Sequence, residues 1–296
     1  MRVNWLKNVR FFPARFRLTG GTLGNFVADL YLQMHKKEAP KHLKYPEINR
    51  LLDAVLSQAR EILGEKLVGL YLYGSVVAGD FDYEISDIDF LAATETLIDE
   101  NEFAALEKMH NQLVKDNLEW ENRIEIAYVS LDALKTFKTR QSQIANISPG
   151  EPFHFLEAGK DWLLNWYFVR ENSVTIFGEP PVTIIAPISK DEFIQAVREQ
   201  AGERGKNVEL AKHSRPYQAY LIMTVCRALY AVKNGEQVSK RRAASWAQKQ
   251  FPEYFSLIEN AFEWRANSRD ENVNHEATFP EAKKFVNYII DKIVGE

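Results

Sequence analysis

The most informative residues of the chain are acidic side chains in segments that otherwise have the composition of buried strands. Asp87 and Asp89 lie in the segment SDIDFLA. Alternate residues of a strand face the same side, so the two carboxylates would face one way, about 7 Å apart along the backbone. Two ionised carboxylates at one place repel each other, and a divalent cation resolves that conflict. Because oxygen ligands suit Mg²⁺, the pair predicts a magnesium site.

Two further features lie on neighbouring predicted strands. Gly74-Ser75 ends the preceding strand, where a glycine allows close backbone approach and the turn supplies N–H donors and a hydroxyl for phosphate oxygens. Glu125 lies in the middle of the apolar segment RIEIAYV, and a glutamate is rarely buried without a partner. It could complete a metal triad or accept a proton from an attacking hydroxyl. A salt bridge to Arg123, or a solvated charge at a sheet edge, remains the alternative.

Basic residues in the C-terminal half suggest an anionic ligand. Arg227 lies in a nearly all-apolar helical segment, where an unpaired charge would be costly, so it points either to a triphosphate or to an acidic residue elsewhere. Lys240, Arg241 and Arg242 follow Ser239 at a predicted helix start. Cations there oppose the helix dipole, which indicates an anionic ligand. A solvated charged turn is the alternative for Arg241 and Arg242.

The elements that position these residues follow from the hydrophobic pattern. A helical pattern runs from Pro46 to the stop signal at Gly64, and strands are predicted over 67–75, 86–93 and 123–129, with an amphipathic helix between the second and third. Residues 135–190 give no clear pattern. Beyond Pro187 the pattern is helical, with helices predicted near 190–205, 216–234, 239–250, 253–266 and 280–293. The chain is therefore predicted to be an α+β protein in which a helical bundle follows an α/β domain.

Composition sets broader limits. At roughly 150 residues per domain, 296 residues indicate two domains. Lys and Arg number 37 against 41 Asp and Glu, a net charge of -4, so no nucleic-acid partner is expected. The single cysteine, Cys226, indicates a reducing compartment, and no apolar run reaches the ~20 residues of a membrane span. We expect a cytoplasmic protein. The first 28 residues are rich in basic side chains, and we interpret them either as an arm that touches a membrane surface or an acidic partner or as an extension without a role in the chemistry.

These motifs resemble two known groups of proteins. Gly74-Ser75, Asp87, Asp89 and Glu125 resemble the signature of the nucleotidyltransferase superfamily that includes DNA polymerase β and the kanamycin nucleotidyltransferases. The segment VCRALYAVKNGEQVSKRRAASWA, residues 225–247, resembles the helical domain of the bacterial aminoglycoside adenylyltransferases that modify streptomycin and spectinomycin. NSVTIFGEPP, residues 172–181, resembles the link between their two domains. The likeness covers roughly residues 45–295.

The resemblance implies a fold and a division of the chain. A basic N-terminal extension, residues 1–44, would precede a polymerase β-like α/β domain with a mixed sheet, residues 45–180, and an all-α helical domain would follow, residues 181–296. ATP and the antibiotic bind between the two domains in that family. No signal in the sequence fixes the oligomeric state, and a monomer is favoured.

The resemblance also implies roles for individual residues. Asp87 and Asp89 would hold two Mg²⁺ ions, with Glu125 as the general base and a third metal ligand. The turn at Gly74 and Ser75 would contact the nucleotide. Three residues of the helical domain would do so as well: Arg227, Lys240 and, near the adenine, Trp264. A tryptophan packed in the core of the bundle is the alternative for Trp264.

The acceptor contacts of the family are not present. Where the streptomycin-modifying members have an acidic residue, before the arginine matched by Arg227, this chain has Tyr217, and Val208 and His213 replace a tryptophan and an aspartate. Negative charge for a cationic acceptor could come from surface residues instead: Asp82, Glu84, Glu157 and Asp161.

The resemblance implies a magnesium-dependent transfer of AMP from ATP to a hydroxyl of a small acceptor, with release of pyrophosphate. The expected acceptor is an aminoglycoside or aminocyclitol antibiotic, so the expected biological role is antibiotic resistance. Two alternatives stay open: a nucleotidyltransferase that acts on a protein or an RNA, as antitoxins do, and a nucleotide-binding module without turnover.

Overall fold

The structure is a computed structural model that describes residues 43–266 and 273–295. The basic arm, residues 1–28, lies outside the described residues. The described residues belong to one compact unit, Ala39–Glu296. Whether this unit divides into domains at residues 180 and 181 stays a prediction.

Six described strands form a single mixed sheet in the order β5-β4-β3-β2-β1-β6. Neighbouring strands are antiparallel except for β2 and β3, which are parallel. The strands are β1 (Leu67–Tyr73), β2 (Ile88–Thr94), β3 (Ile124–Ser130), β4 (Ser142–Ile147), β5 (His154–Ala158) and β6 (Val174–Gly178).

Helices cover the sheet and continue beyond it as a bundle. The helices that accompany the sheet are α1 (Pro46–Leu63), α2 (Ser75–Ala78), α3 (Glu100–Asp116), α4 (Leu131–Thr136), α5 (Leu163–Asn172) and α6 (Pro181–Ile184). Those of the C-terminal half are α7 (Lys190–Lys206), α8 (Arg215–Asn234), α9 (Lys240–Gln250), α10 (Phe255–Ala266) and α11 (His275–Val294). The α+β fold predicted from the sequence is confirmed.

Helix ends lie at the predicted signals. Proline occupies the start of α1, where its missing N–H costs nothing, and Gly64 ends the helix with a positive φ of 54°. Gly235 ends α8 in the left-handed region, and the Ser239 hydroxyl caps α9 by accepting a hydrogen bond from the backbone of Arg242. The last helix begins at His275, earlier than predicted, and contains Pro280 within it.

The two faces of the sheet are covered by different helices. Side chains that include Leu72, Phe90 and Ile126 pack against α1 and α3 on the first face. On the second face, residues that include Leu91 and Val129 pack in one cluster with α4, α5 and α7. The alternation of β3 is as expected, because Ile124, Ile126 and Tyr128 lie on the first face and Ala127 lies on the second.

The bundle has its own core around α8, whose buried side chains pack against α9, α10 and α11. The second-face cluster of the sheet also includes Phe193 and Val197 of α7 and Ala231 of α8, so the sheet and the bundle share apolar contacts. In the described part of the chain, no helix combines the length and the apolar character needed to cross a membrane.

Candidate active site

A row of polar side chains crosses three adjacent strands on the second face of the sheet. Asp89 pairs with Tyr73 of β1 on one side and with Glu125 of β3 on the other. Neighbouring strands lie about 4.8 Å apart, so the pairing register brings these side chains together. The surrounding positions of the same face are apolar, including Tyr71, Leu91 and Ala127. Sequence reasoning placed Asp89 and Glu125 on adjacent strands, and it missed Tyr73.

Asp87 lies in the loop immediately before β2. The predicted strand over 86–93 began too early, because β2 begins at Ile88 and so only Asp89 has a fixed place in the sheet. The loop is fixed by Arg123, whose guanidinium donates hydrogen bonds to the Ser86 carbonyl at 2.7 and 3.0 Å. The same guanidinium lies 4.9 Å from the ring of Trp120. The two aspartates are therefore held by different means, one by strand pairing and one by a loop.

Gly74 lies directly against Asp89. Its φ of 76° is in the left-handed region, and a Cβ at this position would collide with the Asp89 carboxylate. The side chain that lies close to the backbone of this glycine is the Asp89 carboxylate, and contact between this turn and a phosphate stays a prediction. Ser75 then begins the short helix α2. The turn at Gly74 and Ser75 thus lies at the edge of the carboxylate row.

Burial and the repulsion between neighbouring carboxylates disfavour the ionised forms of Asp87, Asp89 and Glu125. Burial, then Glu125, then Asp87 raise the pKa of Asp89 to about 8. Burial, then Asp87, then Glu151 raise the pKa of Glu125 to about 7. Burial also raises the pKa of Asp87, although Lys240, Arg123 and Arg265 oppose the rise. We call Asp87, Asp89 and Glu125 the acidic cluster. The neighbouring cations compensate the negative charge of this cluster only in part, and a bound metal cation would compensate the rest.

Lys240 and Arg227 provide positive charge opposite the acidic cluster. Burial and the neighbouring Arg227 and Arg265 lower the pKa of Lys240 to about 7, while Asp87 and Asp89 favour its charged form. Burial lowers the pKa of Arg227 as well. The Lys240 ammonium lies 4.6 Å from the ring of Tyr220, and the Arg227 guanidinium lies 5.7 Å from that of Phe168. Both cations therefore pack against aromatic rings, and in the described part of the chain neither forms an ion pair with a carboxylate.

Two further arginines extend this positive region and were missed in the sequence. Arg265 is close enough to influence the ionisation of Asp87, Arg227 and Lys240. The Arg204 guanidinium lies 5.4 Å from the ring of Tyr220, on which Lys240 also packs. Arginines on polar helix faces have no distinctive sequence signal, because charged residues are normal there. We call Arg204, Arg227, Lys240 and Arg265 the cationic wall.

The remaining predicted residues lie in other surroundings. Trp264 packs against the core of the bundle, with the Arg215 guanidinium 5.7 Å from its ring. Arg241 forms an ion pair with Asp80, and Arg242 lies 3.8 Å from Glu236. The anion at the start of α9 is therefore the Asp80 carboxylate, which accepts a hydrogen bond from the backbone N–H of Arg241 at 3.0 Å.

The side chains considered for the acceptor do not form a single acidic surface. Asp82 and Asp161 accept hydrogen bonds from nearby backbone N–H groups, those of Glu84 and Gly159. Glu84, Glu157 and Asp161 are exposed. His213 forms an ion pair with Glu276, Val208 is buried, and Tyr217 stacks on Tyr220.

The acidic cluster was tested as a magnesium site. In the described residues no three His, Cys, Asp or Glu side chains are arranged so that they alone could hold a metal ion. Magnesium, however, is usually bound through one or two carboxylates together with substrate phosphates and waters, and not by a closed protein cage. The hard oxygen donors of Asp87 and Asp89, half-buried near Glu125 and with raised pKa values, fit that mode of binding. Whether Glu125 is a third magnesium ligand stays a prediction.

Comparisons with known proteins agree with this architecture. Residues 183–292 match the model of the aminoglycoside adenylyltransferase C-terminal domain. The fold is similar to a crystal structure of the spectinomycin adenyltransferase AAD(9) from Enterococcus faecialis with ATP and spectinomycin, with a TM-score of 0.63 and 16% identity. That likeness covers 81% of this chain and 99% of the other. A comparison with curated protein sequences gives no significant match.

The C-terminal bundle is therefore similar to the C-terminal domain of the aminoglycoside adenylyltransferases, and the chain as a whole has a fold similar to that of a spectinomycin adenyltransferase.

Proposed function

We propose that the protein transfers AMP from ATP to a hydroxyl of a small cationic acceptor, an aminoglycoside or aminocyclitol antibiotic, and releases pyrophosphate. One observation carries the proposal: the half-buried Asp89, in register with Glu125 and in contact with Gly74, lies near two cations that form no ion pair with a carboxylate in the described residues. An acidic cluster and a cationic wall at one place suit a metal–triphosphate complex, which carries both kinds of charge.

In this proposal the basic residues bind the phosphates and the acidic residues bind the metal ion. Arg227 and Lys240 would bind the phosphate oxygens, a task for which a guanidinium offers two parallel donors and an ammonium a compact charge. The N–H groups and the hydroxyl at Ser75 would hold the same chain of phosphates from the sheet side. Asp87 and Asp89 would hold magnesium, which, when bound, neutralises negative charge on the reacting phosphate.

Glu125 is proposed as the general base. Its pKa of about 7 means that a substantial fraction is ionised at neutral pH, while its basicity is higher than that of an ordinary glutamate. The acceptor hydroxyl oxygen forms a bond to the α-phosphorus, and the bond between the α-phosphorus and the bridging oxygen breaks. The hydroxyl proton passes to Glu125, and pyrophosphate leaves.

The test is a pyrophosphate-release screen with ATP and Mg²⁺ against a panel of aminocyclitol and aminoglycoside antibiotics, with GTP and CTP in parallel. We expect release with ATP and one group of antibiotics, and loss of release in Glu125→Gln without loss of ATP binding. Binding of ATP without release for any acceptor would instead support a nucleotide-binding module. Release only with a protein or RNA acceptor would support the antitoxin-like alternative.

A further inference from the structure

A carboxylate outside the acidic cluster joins the nucleotide turn to the helix that carries Lys240. Asp80 ends the segment 74–80, which starts at Gly74 and contains α2. Its Oδ2 accepts a hydrogen bond from the backbone N–H of Arg241 at 3.0 Å, and its Oδ1 accepts one from Arg241 Nε at 3.1 Å. The Asp80 side chain is only 14% exposed, whereas that of Arg241 is 66% exposed.

The contact completes the start of α9. Ser239 Oγ accepts a hydrogen bond from Arg242 N, and Asp80 Oδ2 accepts one from Arg241 N, so two of the unpaired donors of the first turn are satisfied. A carboxylate at this end of the helix also interacts favourably with the partial positive charge of the helix dipole. Lys240 is the first residue of α9, and its backbone is therefore fixed relative to Asp80.

The segment that presents Asp80 is itself closed by backbone hydrogen bonds. The Ser75 carbonyl accepts from the N–H of Asp80 at 3.1 Å, and the Gly74 carbonyl accepts from that of Ala78 at 3.0 Å. Gly79 adopts a left-handed conformation between them, with φ 72°. Ser75 at one end of this segment and Asp80 at the other are thus parts of one small hydrogen-bonded unit.

We propose that Asp80 is a positioning residue that fixes Lys240 relative to Ser75, so that both reach the phosphates of one nucleotide. The inference rests on the proposed function, in which Ser75 and Lys240 bind the triphosphate from opposite sides. Asp80 itself acts through Arg241 and the first turn of α9. No other ion pair in the described chain joins this segment to α9.

The chain offers a matched control at the next residue. Arg242 is also an exposed arginine in the first turn of α9, but it lies 3.8 Å from Glu236, in the loop between α8 and α9. Arg242→Ala therefore removes the same charge from the same helix end and leaves the link to the segment 74–80 intact. Asp80→Asn is a conservative variant, because its amide oxygen can still accept the hydrogen bond of Arg241 N–H.

The experiment measures the dissociation constant of a fluorescent ATP analogue with Mg²⁺ and the KM for ATP. We expect Asp80→Ala to raise both about five- to tenfold, with kcat at saturating ATP changed less than about twofold, an effect the size of a lost helix cap. Asp80→Asn should show a smaller loss, and Arg242→Ala none. Combined with Lys240→Ala, the Asp80→Ala change should add little, because it acts through the missing lysine.

The outcomes separate this inference from the proposed function. Unchanged ATP affinity in Lys240→Ala would overturn the proposed nucleotide site. A loss in Lys240→Ala without any loss in Asp80→Ala, or full additivity of the two, would overturn the positioning role alone. If Asp80→Ala does not fold, Asp80→Asn and Arg241→Ala give a weaker form of the test, because each keeps the hydrogen bond of the Arg241 backbone N–H and loses only the ion pair. Both should then raise the KM for ATP by less than about fivefold, with Arg242→Ala unchanged, and an unchanged KM in both would overturn the positioning role.

Discussion

Burial disfavours the charged side chains of both the acidic cluster on the sheet and the cationic wall on the helices, and these two groups carry opposite charges. On the sheet, burial raises the pKa values of Asp89 and Glu125. On the helices, burial lowers those of Lys240 and Arg227. In the part of the chain that the structure describes, no ion pair joins these four side chains across the gap. A structural salt bridge would have closed that gap, so the separation favours a ligand that carries both charges.

The largest effect should come from removing the central carboxylate. Asp89→Asn should lower kcat for pyrophosphate release by at least about a thousandfold, because no other group of the sheet can take over its place beside Gly74 and Glu125. The melting temperature without ligand at pH 8 should not fall, since the amide removes a buried negative charge. Asp53→Asn, an exposed change on α1, is the control. Full activity of Asp89→Asn would show that the acidic cluster is not part of the reacting site.

The cationic wall should show its effect in nucleotide affinity. Lys240→Ala should raise KM for ATP by about ten- to a hundredfold, as expected for the loss of a buried charged contact to phosphate. Because the pKa of Lys240 is about 7 without ligand, ATP affinity should decrease as pH rises from 6 to 8. Lys240→Arg should weaken that dependence, since arginine stays protonated. A flat profile in the unaltered protein would argue against Lys240 as a phosphate ligand.

The acidic cluster should make the ligand-free protein less stable as pH rises. A carboxyl group whose pKa is raised in the folded state stabilises the protein below its unfolded value and loses that contribution as pH passes the folded value. For Asp89 this window runs from the ordinary carboxyl pKa of 3.8 to about 8, and for Glu125 from 4.5 to about 7. With chelator present, the free energy of unfolding should fall by several kcal/mol between pH 5 and pH 8, because each pH unit over which one of these carboxyls is protonated only in the folded state contributes about 1.36 kcal/mol.

Asp89→Asn should flatten this slope, and Mg²⁺ with ATP should offset it by binding the folded state. Denaturant unfolding at several pH values measures both effects. A slope that is the same in Asp89→Asn and in the unaltered protein would show that the acidic cluster is not its source.

The smallest effect is expected at Trp264. Because its ring packs against the bundle core, Trp264→Leu should change KM for ATP by less than about threefold. The change should instead lower the free energy of unfolding by roughly 1–3 kcal/mol, the range for a large apolar side chain that is shortened. A large increase in KM with unchanged stability would instead show that the indole contacts the nucleotide, beside the cationic wall.

Much of this arrangement could be predicted from the sequence because strand alternation and helix-stop signals are local. The alternation of β3 put Glu125 on the face opposite Ile124 and Ile126, and Gly64 and Gly235 mark the ends of α1 and α8. Residues 135–190 could not be interpreted, because β4, β5 and β6 are short and their places depend on partners far along the chain.

Tertiary contacts also explain the residues that sequence reasoning missed or misplaced. Asp87 was assigned to a strand because Ile88 and Phe90 continue the apolar alternation, whereas Arg123 holds the preceding loop by hydrogen bonds to backbone carbonyls. Tyr73 and Arg204 have no local signal, since an aromatic residue in a strand and an arginine on a helix are both ordinary. The role of Asp80 could not be predicted, because its partner Arg241 lies 161 residues away in the sequence, at the start of α9.

The in-register parallel pairing of β2 and β3 has a consequence for how Glu125, the proposed base, reaches its place during folding. If β3 were to slip by one residue, Glu125 would move to the first face, and the isoleucines on either side of it would turn toward Asp89. Such a molecule would lose apolar contacts in both layers. The apolar residues on either side of Glu125 thus fix the register that places its carboxylate beside Asp89, and no bound ligand is needed to select that register.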